Sequence, residues 1–144
     1  MLPSRPHRLA LFSLVAMGDL ETQKWTEAVI LDPSNAKFVP KIENPTQEHQ
    51  LGINIGFHIG NPSRDTLAIL GRNGDIKLKD ENFSRTQCSF EVVPESGVVM
   101  LCDRSTLQTA QLVGNDAFPY ERGRSRRVAV TSQFNTTFGI GQRG

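Results

Sequence analysis

An all-β chain, folded as an antiparallel β-sandwich, is predicted by three features of the sequence. From Leu51 onward the apolar residues Ile53, Ile55, Phe57 and Ile59 alternate with Asn54, Gly56 and His58, which marks a strand with one buried face. Short apolar runs then follow one another, separated by turn residues. No long helical-period pattern interrupts them.

Before Leu51 the pattern is mixed. Arg5, His7 and Arg8 precede the apolar run Leu9 to Met17, which has the outline of a weak secretion signal without a small-x-small cleavage pattern. A short helix, or the start of a fragment, is the plainer reading. Glu27 to Leu31 reads as a short strand, ended by the turn cluster Asp32-Pro33-Ser34-Asn35. Residues 1–50 are assigned to a partly irregular N-terminal extension and residues 51–144 to the sandwich. Within the latter, Asn61 to Asp65 is a loop and Thr66 to Leu70 a compact strand stopped by Gly71. Further strands are expected at Asp75–Leu78, Cys88–Val93, Val98–Cys102, Gln108–Val113, Arg127–Thr131 and Thr137–Ile140.

Length and charge narrow the function. A chain of 144 residues builds one core with some length to spare. A formal net charge of +1 gives no overall field for nucleic acid or an anionic membrane. One Trp and one Tyr are thin material for stacking single-stranded bases. No apolar run approaches the length of a membrane span.

Cys88 and Cys102 flank the turn Pro94-Glu95-Ser96-Gly97. If Val93 pairs with Val98, Phe90 faces Leu101, Cys88 faces Asp103 and Cys102 faces Ser89. Side chains alternate along a strand, so the two sulfurs point to opposite faces and a disulfide is not expected. Free thiols suit a reducing, intracellular compartment. His7, His49 and His58 are scattered, no metal-ligand spacing occurs, and no nucleophile sits in a recognised catalytic turn. Neither enzyme activity nor a cofactor is expected. Gly139-Ile140-Gly141-Gln142-Arg143-Gly144 matches a dinucleotide-binding pattern but no helix follows it. Arg122, Arg124, Arg126 and Arg127 read as a solvated basic loop.

One set of polar residues carries chemistry. Gly71-Arg72, then Ser84-Arg85-Thr86-Gln87, then Asp103-Arg104-Ser105-Thr106 and Thr109 fall at strand ends. A planar, permanently charged guanidinium grips two phosphate oxygens at once, a serine hydroxyl donates to a third, and a second cation adds charge. Strand Thr66–Leu70 should carry Arg72 to the rim of the sheet. The alternation of Cys88 and Phe90 should fix the Ser84 loop beside it.

In order and spacing these residues resemble the forkhead-associated (FHA) domain family, readers of phosphothreonine peptides, over about Leu51 to Gly141. The lead-in from Ile30 to Phe57 looks weakly like that of fungal members. The resemblance implies that Arg72, Ser84 and Arg85 hold phosphate and that Thr106 lines a slot for the phosphothreonine methyl. Leu107 stands where the family has an Asn that holds the peptide backbone, Gln108 replaces a turn Gly, and Gln87 replaces a structural His. The partner implied is a phosphothreonine-containing protein. A degenerate FHA domain, acting as a phosphate-independent interaction or structural module, is the alternative. A secreted β-domain is a third. The family adds a strand after Ile140, so the chain is compatible with a fragment of a larger signalling protein such as a kinase.

Overall fold

The computed structural model describes residues 2–3, 9–16, 20–40, 49–50, 52–80, 83–104, 111–112, 127–131 and 138–139. The fold is β-rich, with strands in sheets and few helices. Its contacts divide it into two units, Met1–Gly60 and Asn61–Gly144.

The first unit begins with β1 (Leu2–Pro3), β2 (Ala10–Val15) and helix α1 (Leu20–Ile30). A 3-10 turn over Pro33–Phe38, then β3 (His49–Gln50), β4 (Gly52–Gly56) and a second 3-10 turn over Phe57–Ile59 complete it. β1 lies parallel to β3, and β2 antiparallel to β4 with Phe12 opposite Ile55 and Leu14 opposite Ile53. Three expectations are corrected here. The run Leu9–Met17 contains a strand, not a helix: Leu11, Ser13 and Val15 are exposed while Phe12 and Leu14 turn inward, the period of a sheet edge.

Glu27 to Leu31 belongs to the end of α1. The straight-chain residues Glu21, Gln23, Lys24 and Glu27 favour helix. Its last carbonyls are taken up locally, Val29 O accepting from Asn35 Nδ2 at 2.9 Å and Glu27 O from Leu31 N–H at 2.8 Å. Asp32 then caps the following turn through its Oδ1, which accepts the Ser34 N–H at 2.8 Å, with Pro33 opening the turn. Finally, the alternation from Ile53 stops at Gly56. Ile53 and Ile55 are buried, and so is Asn54, whose Oδ1 accepts from Ser13 Oγ at 2.7 Å, whereas Phe57 is 62% exposed.

The second unit centres on a five-stranded sheet of order β10-β8-β7-β5-β6. Its strands are β5 (Thr66–Gly71), β6 (Ile76–Lys77), β7 (Cys88–Val92), β8 (Val99–Asp103) and β10 (Arg127–Val130). A separate antiparallel pair joins β9 (Gln111–Leu112) to β11 (Phe138–Gly139). Neighbours in the large sheet are antiparallel except β5 and β6. Those two run parallel, Leu70 opposite Ile76, which corrects the purely antiparallel expectation. The chain comes back alongside β5 in the same direction through a tight loop in which Gly71 O accepts from both Gly74 N–H and Leu78 N–H. The Asp75 carboxylate braces it by accepting from Ile69 N–H at 2.9 Å and Asn61 Nδ2 at 2.7 Å.

The hairpin of β7 and β8 has the expected register: Cys88 faces Asp103, Ser89 faces Cys102 and Phe90 faces Leu101. Gly97, at φ 72°, closes its turn, with its N–H on Val93 O at 2.8 Å. One face of the sheet carries the buried side chains of Ala68, Leu70, Cys88, Phe90, Leu101 and Val128. Both cysteines are free and buried, and burial pushes the Cys88 thiol far up from its ordinary pKa. Neither thiol should therefore react with a disulfide reagent such as dithionitrobenzoate in the folded protein at pH 8, while both react after denaturation. Rapid labelling of the native state would contradict this packing. Among the described residues, no helix is long and apolar enough to cross a membrane.

Candidate functional site

Sheet topology decides which polar residues meet. β5 runs antiparallel to β7 with Leu70 opposite Cys88, so the turn after β5 and the segment before β7 lie at the same end. β8 finishes there too, with Asp103 opposite Cys88, and β10 starts there, with Arg127 opposite Cys102. Arg72, Ser84, Arg85 and Arg104 are thereby gathered from three separate stretches of chain.

Backbone bonds fasten the first two stretches together. Arg72 N–H donates to Ser84 O at 3.2 Å and Asn73 N–H to Arg85 O at 3.0 Å. The Arg72 side chain adds a third bond, its Nε donating to Phe83 O at 2.7 Å. This close approach requires glycine at Gly71, because a Cβ there would strike the Arg85 carbonyl and the Gln87 nitrogen.

Gln87, only 1% exposed, is the hub of the site. Its N–H donates to Leu70 O at 2.8 Å, its Oε1 accepts the Ser84 N–H at 2.9 Å, and its carbonyl accepts the Arg104 N–H at 3.0 Å. One buried residue thus ties the β5 end, the Ser84 loop and the chain leaving β8 to a common frame. Buried amide groups satisfied in this way rigidify what they join.

Arg72 and Arg85 are exposed and Ser84 is half-buried. Asp75, a natural counter-ion for a loop arginine, spends its Oδ2 on Asn61 and Ile69. The Arg72 fork is anchored at Nε and keeps its Nη groups on an exposed side chain. Two cations and a hydroxyl on hydrogen-bonded turns suit the oxygens of a phosphoryl group. Thr106 and Leu107, along with Arg122, Arg124 and Arg126, lie outside the described residues.

Arg104 belongs to the polar set in sequence, but its contacts do not follow from spacing alone. Beside it, Ser89 Oγ donates to Glu91 Oε2 at 2.7 Å, while Arg104 donates through Nη2 to Glu91 Oε2 and through Nε to Ser89 Oγ at 3.3 Å. Partial burial pushes the Glu91 carboxyl up, but hydrogen bonds from Ser89, Arg104 and Cys102 outweigh it and hold it below its usual range. The hairpin register contains the signal for this cluster: Ser89, Glu91, Cys102 and Arg104 fall on one face of the paired strands. Compared with protein-family models, with curated proteins and with solved structures, the chain shows no match.

Proposed function

We propose that this chain is an FHA-like β-sandwich module that binds a phosphothreonine-containing segment of a partner protein through loops at one end of its sheet. The observation that carries this reading is the juxtaposition of Arg72, Ser84 and Arg85 on turns joined by backbone hydrogen bonds. The module acts by binding, without catalysis, cofactor, nucleic acid or membrane. By the resemblance, Thr106 is the residue assigned to the methyl slot, and Leu107 takes the place of the Asn that holds the peptide backbone. Buried free thiols are in keeping with an intracellular setting, nuclear or cytoplasmic, as the reader of a larger signalling protein such as a kinase.

The test is a degenerate phosphothreonine peptide library titrated beside its unphosphorylated counterpart. Phosphorylated peptides should bind and unphosphorylated ones should not. A buried methyl is worth about 0.8 kcal/mol, and the stiffer β-branched rotamer adds to it, so phosphoserine peptides should bind several-fold more weakly. Equal affinity for the two would reduce the site to a generic anion patch. A second reading is favoured by Leu107-Gln108, which replaces the family's Asn-Gly: a degenerate FHA domain whose interactions do not need phosphate. Partner binding that persists after dephosphorylation would select it.

A further inference from the structure

Gly71, Arg72, Asn73 and Gly74 form a β-turn, closed by the Gly74 N–H on Gly71 O at 3.1 Å, so Arg72 and Asn73 occupy its two central positions. The turn is folded hard against β5, since a Cβ on Gly74 would strike Ile69 O and the Gly71 nitrogen. Asn73 is also fixed from its other side, its N–H donating to Arg85 O at 3.0 Å. Its backbone is therefore held beside both Arg72 and Arg85, while the residue itself is exposed.

Asparagine in a turn usually serves the fold in one of two ways. It takes up a left-handed backbone that other residues resist, or its carboxamide accepts a main-chain N–H two residues on. Asn61 does the second, its Oδ1 accepting the Ser63 N–H at 2.8 Å. Asn73 does neither. Among the described residues, Asp65 is the only non-glycine with a positive φ, and none of them hydrogen-bonds the Asn73 carboxamide. The fold makes no use of this amide, which stands on a rigid turn between two cations. Arginine side chains offer donors alone. A peptide held by its phosphoryl group also brings a main-chain N–H, which needs an acceptor, and a C=O, which needs a donor. The carboxamide has both on one planar group.

We infer that Asn73 is a further ligand-contacting residue, its carboxamide pairing with the main chain of the bound segment next to the phosphorylated residue. The inference rests on the phosphopeptide reading above and adds to it a contact that reads peptide rather than phosphate. Arg72, Ser84 and Arg85 hold the phosphoryl group, and Asn73 makes the site favour a phosphorylated peptide over phosphate alone.

The full chain and Asn73→Ala are titrated with inorganic phosphate, with a phosphothreonine peptide from the library and with its unphosphorylated twin. Further versions of the phosphopeptide carry a single ester in place of each peptide bond flanking the phosphothreonine, which removes one N–H and weakens one carbonyl acceptor. Asn73→Ala should weaken phosphopeptide binding about fivefold, the scale of one neutral hydrogen bond, while inorganic phosphate binds both proteins alike. One ester should weaken wild type by a similar factor and Asn73→Ala no further, because the two changes remove the same contact. Tm should hardly move, since the residue is exposed and its N–H is kept. If wild type binds the phosphorylated and unphosphorylated twins equally, the phosphopeptide reading falls and this inference with it. If wild type requires phosphate but Asn73→Ala matches its affinity, the role of Asn73 alone is overturned. It is overturned as well if Asn73→Ala loses inorganic phosphate in the same proportion as peptide, or if every ester weakens both proteins equally.

Discussion

Arg72→Ala is expected to weaken binding of a phosphothreonine peptide tenfold or more. Each charge-assisted hydrogen bond contributes about 1.5–3 kcal/mol net, so losing even one reaches that size. The substitution also removes the bond from Nε to Phe83 O, a neutral acceptor, which should cost about 1 kcal/mol of stability. The two effects separate by experiment, because calorimetric titration reads the first and denaturant unfolding the second. Arg72→Lys sharpens the comparison. It keeps the charge but cannot reproduce a planar fork anchored at one nitrogen and free to donate from the others, so it should recover only part of the affinity. An unchanged dissociation constant for Arg72→Ala would remove this residue from the site.

What the sequence made legible is tied to strong local signals. The hairpin from Cys88 to Asp103 was readable to the residue because the Pro94-to-Gly97 turn sets its loop length, and alternation allows only one register to bury Phe90 and Leu101. Gly71 was readable as the end of β5, and the meeting of Arg72 with Ser84 follows from antiparallel pairing with β7. The gaps have equally local causes. Helix α1 was hidden because Val29-Ile30-Leu31 is an apolar run that fits strand or helix, and Ile30 is the one position among its described side chains that is fully buried. The strand in Leu9–Met17 was masked by apolar residues on both faces, with Leu11 and Val15 exposed. Phe57 continued the alternation in sequence, yet the chain turns into a 3-10 segment after Gly56 and exposes it. The parallel β5–β6 pairing depends on Asp75 bracing a loop, a tertiary contact that periodicity does not report. The hub role of Gln87 could be guessed as structural, but its partners emerge only once three strand ends are brought together.

Gly71→Ala should damage both fold and site, because the atoms a methyl group would strike are main chain. The Arg85 carbonyl and the Gln87 nitrogen stand where the new Cβ must go, and neither has a rotamer to escape into. Overpacking of this kind costs about 1–3 kcal/mol. Relief by separating the strands would break the bonds of Arg72 N–H to Ser84 O, Asn73 N–H to Arg85 O and Gln87 N–H to Leu70 O, each worth about 0.5–1.5 kcal/mol. A loss near 3 kcal/mol is the expected outcome in urea unfolding, with phosphopeptide binding lost even in the fraction that remains folded. Gly97→Ala serves as the control. Gly97 has φ 72° but open space around it, so the substitution incurs backbone strain alone, about 1–2 kcal/mol, at the opposite end of the hairpin from the site. It should lower stability while leaving affinity for the phosphopeptide unchanged. If Gly71→Ala were instead as stable as wild type and bound the peptide equally well, the close approach of the β5 end to Arg85 would have no part in shaping the site.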